Sequence, residues 1–205
     1  MNTQNSLYLG SSSQSRQMLL KQARIPFSLI KQSADETLCD WNLPLPEVVK
    51  HIALYKMAHC LLPKAQEGDI CFVLTADTLS RDPRGTIQGK PASKADAIAI
   101  LRSIRKGLVT TGTAFCLERK RYSNGLWITE EQILEYVQAQ YIFDVPDAWI
   151  EIYMQSFDGQ LGTASINIEE FGNLFLKELR GSYATVVGLP LYELRQALEK
   201  IGFYR

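Results

Sequence analysis

Ile70-Cys71-Phe72-Val73-Leu74-Thr75-Ala76-Asp77-Thr78 is the stretch that decides the fold. Its unbroken start of apolar, β-branched and aromatic residues reads as a short buried strand. In α/β folds, ligands bind beyond the carboxyl ends of such strands. Asp77 is therefore expected where a rigid element presents a carboxylate to a cleft. Further on, Gly89-Lys90-Pro91 places a lysine in a turn, a point charge suited to phosphate. A carboxylate that can hold a metal, near a cation that can hold phosphate, fits nucleotide chemistry. Taken alone, the two segments read more simply as a turn cap and a solvated loop lysine, because single short motifs are weak.

Upstream, Leu7-Tyr8-Leu9 is a second short strand, followed by the polar cluster Gly10-Ser11-Ser12-Ser13-Gln14-Ser15. Arg16 to Ala23 then reads as a helix with one of the serines as N-cap. Strand, small polar loop and helix together aim free backbone N–H groups and a helix N-terminus at an anion. An ordinary capped helix is the simpler alternative. Leu45-Pro46-Glu47 opens a long helix to about Leu62, with an apolar stripe through Val48, Val49, Ile52, Ala53, Met57, Ala58 and Leu61. Lys56 falls among these apolar neighbours and, by itself, reads as a lysine whose stem lies along the surface. His51 and His59 lack metal-ligand spacing and read as surface residues.

Downstream, Ser93-Lys94-Ala95-Asp96 resembles a capping box opening a helix to about Arg105. Two β-rich stretches, Leu108 to Arg121 and Trp127 to Phe143, flank Ser123-Asn124-Gly125, a good hairpin turn. Glu130-Glu131 also permits a short helix. Val145-Pro146-Asp147 starts a helix carrying Trp149, Ile150, Ile152 and Tyr153. Asn173 to Leu179 reads as a strand. The last helix puts Leu191, Leu194, Leu198 and Ile201 on one face, with Gly202 after it. Alternating strands and helices around a hairpin predict an α/β fold with a mixed sheet.

The chain has 205 residues, enough for a substantial core in one domain spanning 1–205 or in two lobes around a cleft. Its 22 basic and 22 acidic residues cancel, so nothing points to a nucleic-acid backbone or an anionic membrane as partner. Cys39, Cys60, Cys71 and Cys116 form no CxxC pair; a zinc site is not expected, and the thiols suit a reducing cytoplasm. Residues 1–6 lack the basic start and apolar stretch of a signal peptide, and no apolar run approaches membrane-spanning length. The segment Gly85 to Pro91 has the wrong glycine spacing for a Walker phosphate loop, with proline where Ser or Thr must bind magnesium. GxSxG and GxGxxG are both absent, so a serine hydrolase and a dehydrogenase are set aside.

Set in order, these segments resemble the Maf family of nucleoside triphosphate pyrophosphatases. The family's N-terminal L-A-S-x-S-P-R-R-x-x-L-L is similar to Leu9 through Leu20, and its D-E loop to Asp35-Glu36. Its A-x-x-K-A helix is similar to Ala53 through Met57, and its G-A-D-T to Thr75-Ala76-Asp77-Thr78. G-K-P is intact at Gly89-Lys90-Pro91. The most specific match is G-S-Y-x-x-V-V-G-L-P, present as Gly181 through Pro190. The resemblance implies an elongated mixed β-sheet flanked by helices with a central cleft, similar to the inosine triphosphatase fold. It implies hydrolysis between the α- and β-phosphates of a nucleoside triphosphate, giving a monophosphate and pyrophosphate with Mg²⁺ or Mn²⁺. It makes Asp77 the catalytic acidic residue, activating water or holding the metal, with Glu36 as the second acidic residue. Lys56 and Lys90 would contact phosphates, as would Ser11 and the Ser12-Ser13 loop. Arg16 and Thr78 would bear on substrate choice. Such chemistry asks for neutralised phosphate charge and an oriented water, with little covalent work by the protein.

The chain departs from the family in two places. The S-P-R-R element has Gln14 and Ser15 for its proline and first arginine, which removes a cation fork. In the stretch Leu161 to Glu169, the family's lysine, tyrosine and glutamine are replaced by Gly162, Ile166 and Glu169. The dTTP/UTP branch resembles the chain at Ala76-Asp77-Thr78 and Gly181-Ser182-Tyr183. The branch that prefers GTP with a methylated guanine resembles it at Ile168-Glu169-Glu170-Phe171-Gly172. A carboxylate only accepts hydrogen bonds, so Glu169 would suit a guanine N–H edge or a cationic methylated base better than a pyrimidine carbonyl. The alternative to an active enzyme is a nucleotide-binding protein whose catalysis has decayed. The resemblance also allows a homodimer.

Overall fold

The computed structural model describes residues 6–156 and 166–204, so Leu161 and Gly162 lie outside the described residues. The elements run β1 (Ser6–Leu9), α1 (Gln14–Gln22), β2 (Ser28–Leu29), α2 (Leu45–Ala58), β3 (Ile70–Arg81) and β4 (Ile87–Gln88). They continue with α3 (Lys94–Ile104), β5 (Leu108–Ser123), β6 (Leu126–Phe143), α4 (Asp147–Gln155), β7 (Leu176–Arg180), α5 (Tyr183–Val187) and α6 (Leu191–Lys200). The strands form a seven-stranded mixed sheet, ordered β2-β1-β3-β5-β6-β7 with β4 paired to β3. The expected mixed α/β class is therefore correct. By their internal contacts the residues fall into two compact units: Met1–Asp77, Ala114–Tyr136 and Gly188–Arg205 in the first, Thr78–Thr113 and Val137–Val187 in the second.

In the first unit β1 runs parallel to both β2 and β3, with Leu7 beside Phe72 and Leu9 beside Leu74. Leu7, Leu9, Phe72, Val73 and Leu74 are at most 1% exposed, which is why these strands read as continuous apolar runs. The buried stripe of α2 is Val48, Val49, Ile52, Ala53, Lys56 and Met57. From α6, Leu194 and Leu198 are fully buried, and Phe203 just beyond it packs edge-on against Phe72 at 5.2 Å. At the hairpin, Asn124 and Gly125 both take positive φ, 53° and 82°. That pair of left-handed residues matches the twist of the flanking strands, as the Asn-Gly sequence predicts.

The second unit has its own core, in which Ile104, Val109, Tyr141, Phe143, Tyr153 and Phe175 pack together. Ser93 caps α3 by accepting from the Asp96 N–H, and Asp96 returns a bond to the Ala92 N–H at 2.9 Å. This is the capping box displaced by one residue.

The structure corrects the sequence reading in three places and, in a fourth, decides between strand and short helix in favour of the strand. Asp77 does not end its strand: β3 continues to Arg81. The polar residues do not stop it because each finds a partner, as with Thr75 on Ala53 O and Ser80 on Thr111. Helix α2 ends at Ala58, short of Leu62, because Cys60 bridges to Gln32 and Leu61 bonds Lys31 as the chain turns extended. Glu130-Glu131 is strand, paired with arginines of β5 through Arg119–Glu130 at 3.1 Å and Arg121–Glu130 at 2.5 Å. Asn173 to Phe175 is 3₁₀ helix, and the strand begins at Leu176.

Candidate active site

The first unit gathers a set of charged residues that the sequence spreads over sixty positions. Along β3, alternation puts Thr75 and Asp77 on one face. That face meets α2: the Thr75 hydroxyl donates to Ala53 O at 2.8 Å, and one turn on Lys56 Nζ lies 2.7 Å from Asp77 Oδ1. The same ammonium lies 2.9 Å from Glu36 Oε1. Lys56 is 6% exposed and Asp77 6%, whereas the Glu36 side chain is 42% exposed. Lys56 is thus a buried counter-ion rather than a surface lysine. Ion pairing offsets the desolvation that would otherwise forbid its place in the apolar stripe.

Glu36 is held by its neighbour. Asp35 caps a 3₁₀ turn over Glu36–Leu38, accepting from the Thr37 N–H at 3.1 Å and its hydroxyl at 2.6 Å. These bonds hold the Asp35 carboxyl below its usual range.

The Ser11–Ser13 turn completes the set. Ser13 is the N-cap of α1 and accepts from the Arg16 N–H at 3.4 Å. Ser11 Oγ accepts from the Ser13 N–H at 3.2 Å and from Arg16 Nη1 at 3.3 Å. Arg16, 8% exposed, also donates from Nε to Gly188 O at 2.8 Å. Burial pulls the Arg16 guanidinium below its usual value, and the charges of Asp77 and Glu36 oppose this. The geometry therefore joins Ser11, Ser13, Arg16, Glu36, Lys56 and Asp77, two cations against two carboxylates.

Asp77 is the least satisfied member. Its Oδ2 is buried and has no hydrogen-bond partner. Burial raises its pKa most; Lys56 and Arg16 oppose the rise, and Glu36 adds to it. A buried acceptor without a donor costs about 1–3 kcal/mol, so it marks a place for a ligand's proton or charge.

The other predicted residues belong to the second unit. Thr78 is half-buried and meets Thr113 Oγ1 at 3.0 Å; Thr113 itself donates to Thr185 O at 2.7 Å, so Thr78 is the donor of that pair. Lys90 is exposed in the turn after β4. Glu169 is half-buried, and its N–H donates to Asn167 Oδ1 at 2.7 Å. Tyr183 donates to Ile168 O at 3.3 Å, and burial together with the Glu169 charge raises its phenol pKa.

Two residues at the first site escaped the sequence reading. The Gly188 carbonyl anchors Arg16, and its only signal was membership of the Gly181–Pro190 stretch. Cys39 is 6% exposed, and its thiol is raised by burial and then by Glu36 and Asp77, which places it in their field. Its only signal was a position three residues after Glu36.

The family model of Maf-like proteins matches residues 6–201. The chain belongs to the Maf family. It is 31% identical to the dTTP/UTP pyrophosphatase of Caldicellulosiruptor bescii over 208 residues, covering 96% of this chain and 95% of that protein. It is 32% identical to the dTTP/UTP pyrophosphatase of Halalkalibacterium halodurans, covering 96% of each. It is 30% identical to the nucleoside triphosphate pyrophosphatase of Chlamydia pneumoniae, covering 96% of this chain and 94% of that protein. In this Maf chain, the N-terminal serine turn, the Asp35-Glu36 loop, the Lys56 helix and the Asp77 strand are the segments that meet in the first unit.

Proposed function

We propose that this Maf protein hydrolyses a nucleoside triphosphate between its α- and β-phosphates, releasing a monophosphate and pyrophosphate. The observation that carries the reading is the Arg16–Glu36–Lys56–Asp77 set beside the N-terminus of α1, within the frame of a Maf fold. A triphosphate needs its charge met by fixed cations and N–H donors, which cost no reorganisation during reaction. Arg16, Lys56 and the Ser11–Ser13 turn supply them. Asp77, buried beside cations yet with one oxygen unpartnered, suits a base that orients the attacking water. The dTTP/UTP names of the relatives put those nucleotides first among candidates, while Glu169 favours a guanine edge.

A divalent metal fits the donor set. Magnesium is commonly held by one or two carboxylates, with waters and substrate phosphates completing its shell. Asp77 offers an oxygen without a hydrogen-bond partner, and Glu36 a solvent-facing carboxylate. These two would hold Mg²⁺ or Mn²⁺, which supplies charge neutralisation and a more acidic water. The free thiols suit a reducing compartment, and we propose the cytoplasm. Among the described residues no helix is long and apolar enough to cross a membrane.

The test is pyrophosphate release from canonical and methylated triphosphates with Mg²⁺ or Mn²⁺. Release from at least one is expected. If triphosphates raise the melting temperature of the folded protein without being cleaved, the decayed, binding-only reading replaces this one.

A further inference from the structure

Gly10 begins the Ser11–Ser13 turn, and space around it is short. A Cβ placed on it would lie 2.6 Å from Cys60 Sγ and 3.0 Å from Thr75 Cγ2. The first distance is far inside van der Waals contact, so the sulfur fills the volume that a side chain here would claim. The backbone has little room to retreat, because the Gly10 N–H donates to Leu74 O at 2.9 Å. Thr75 is held as well, through its bond to Ala53 O.

Cys60 is fixed from the other side. Its thiol donates to Lys56 O at 3.4 Å, and its backbone forms the isolated bridge with Gln32. Burial pushes this thiol up to about 11, so the proton that makes the bond stays on at neutral pH. One sulfur therefore abuts the residue that opens the anion-binding turn and bonds the residue that carries the ammonium.

We propose that Cys60 is a positioning residue whose Sγ is the spacer between Gly10 and the Lys56 carbonyl, setting the separation of the Ser11–Ser13 turn from Lys56. The proposal rests on the triphosphate reading, because only a ligand held by both turn and lysine feels that separation. Cys60 itself touches no substrate.

The test is a double-mutant cycle of Gly10→Ala and Cys60→Ala, with Cys60→Ser beside it. Two quantities are read: KM and kcat for the best triphosphate, and the melting-temperature shift produced by inorganic pyrophosphate, which needs no turnover. Gly10→Ala is expected to raise KM roughly tenfold or more, with a smaller change in kcat, and to shrink the pyrophosphate shift. Adding Cys60→Ala removes the clash and returns most of the lost affinity, a non-additivity that two independent packing defects do not show. Cys60→Ala alone raises KM severalfold, and Cys60→Ser, which keeps the donor, stays nearer the parent. If Gly10→Ala does not fold, the two Cys60 variants decide alone. A Cys60→Ala protein that melts lower, with KM and the pyrophosphate shift unchanged, overturns the proposal, as does a double variant no better than Gly10→Ala. If no triphosphate is cleaved, the functional reading fails while the pyrophosphate shift still decides the role of Cys60. A parent protein that cleaves no triphosphate and that pyrophosphate does not shift overturns both; where cleavage is seen without a shift, KM alone decides the role of Cys60.

Discussion

The Lys56 ammonium lies 2.7 Å from Asp77 Oδ1, with both side chains 8% exposed. Forming such a pair gains little net stability, but removing one member strands the other in a low dielectric. Lys56→Met is expected to lower unfolding free energy by about 3 kcal/mol, measured by urea denaturation. Exposed pairs such as Lys94–Glu151 should matter by less than about 1 kcal/mol when broken, which gives an internal control.

Asp77→Asn keeps the shape of the side chain and removes its charge. Turnover should fall by about 10³-fold, the scale of a lost catalytic base, while circular dichroism stays that of the parent. A folded Asp77→Asn protein that turns over normally removes Asp77 from the chemistry.

The raised pKa of Asp77 sets the direction of a pH effect. In the folded protein this carboxyl keeps its proton to a higher pH than in the unfolded chain. Between the two values the folded state binds more protons, so the contribution of this group to stability falls as pH rises through that window. Activity moves the opposite way, because a base must be ionised. The acidic limb of kcat/KM should therefore lie above 3.8, the ordinary value for an aspartate. Lys56→Gln, which removes the charge holding the value down, should move that limb further up. A limb that does not move assigns it to another group.

Arg16 divides its guanidinium between Gly188 O and Ser11 Oγ, a fork that a lysine cannot reproduce. Arg16→Lys should keep the charge yet raise KM for the triphosphate about tenfold, with kcat less affected. Steady-state kinetics on the two proteins checks it; equal KM values would show that charge alone matters.

Glu169→Gln tests base choice. A glutamine can donate as well as accept, so the ratio of kcat/KM for guanine over pyrimidine triphosphates should fall by about tenfold. An unchanged ratio, measured on the same panel, would leave Glu169 with no part in selection.

The elements with a single clean signal were legible: the Ile70–Leu74 run, the α2 stripe and the Asn124-Gly125 turn are decided by local pattern. Asp77 was found as a residue but misplaced, because strand length depends on pairing partners such as Thr111 and Thr113 that no local pattern reveals. Lys56 shows the same limit. Helical periodicity put it on the apolar face, yet periodicity cannot distinguish a stem lying along the surface from a charge buried on Asp77. The Gly10–Cys60 contact was wholly illegible, since it joins residues fifty positions apart whose types carry no motif. The family resemblance named the members of the Asp77 set, and the structure supplied the pairing of Lys56 with Glu36 and Asp77 and the anchoring of Arg16 on Ser11 and Gly188.

Strands β3, β5 and β6 each give residues to both compact units, and the chain passes from one unit to the other after Asp77, Thr113, Tyr136 and Val187. Neither unit is a continuous piece of chain. The first cannot be completed until Gly188 and the residues after it have been made, so Arg16 waits for a carbonyl 172 positions further along the chain. Such a layout makes folding a late event dominated by long-range closure, because neither core can be finished from a contiguous run of residues.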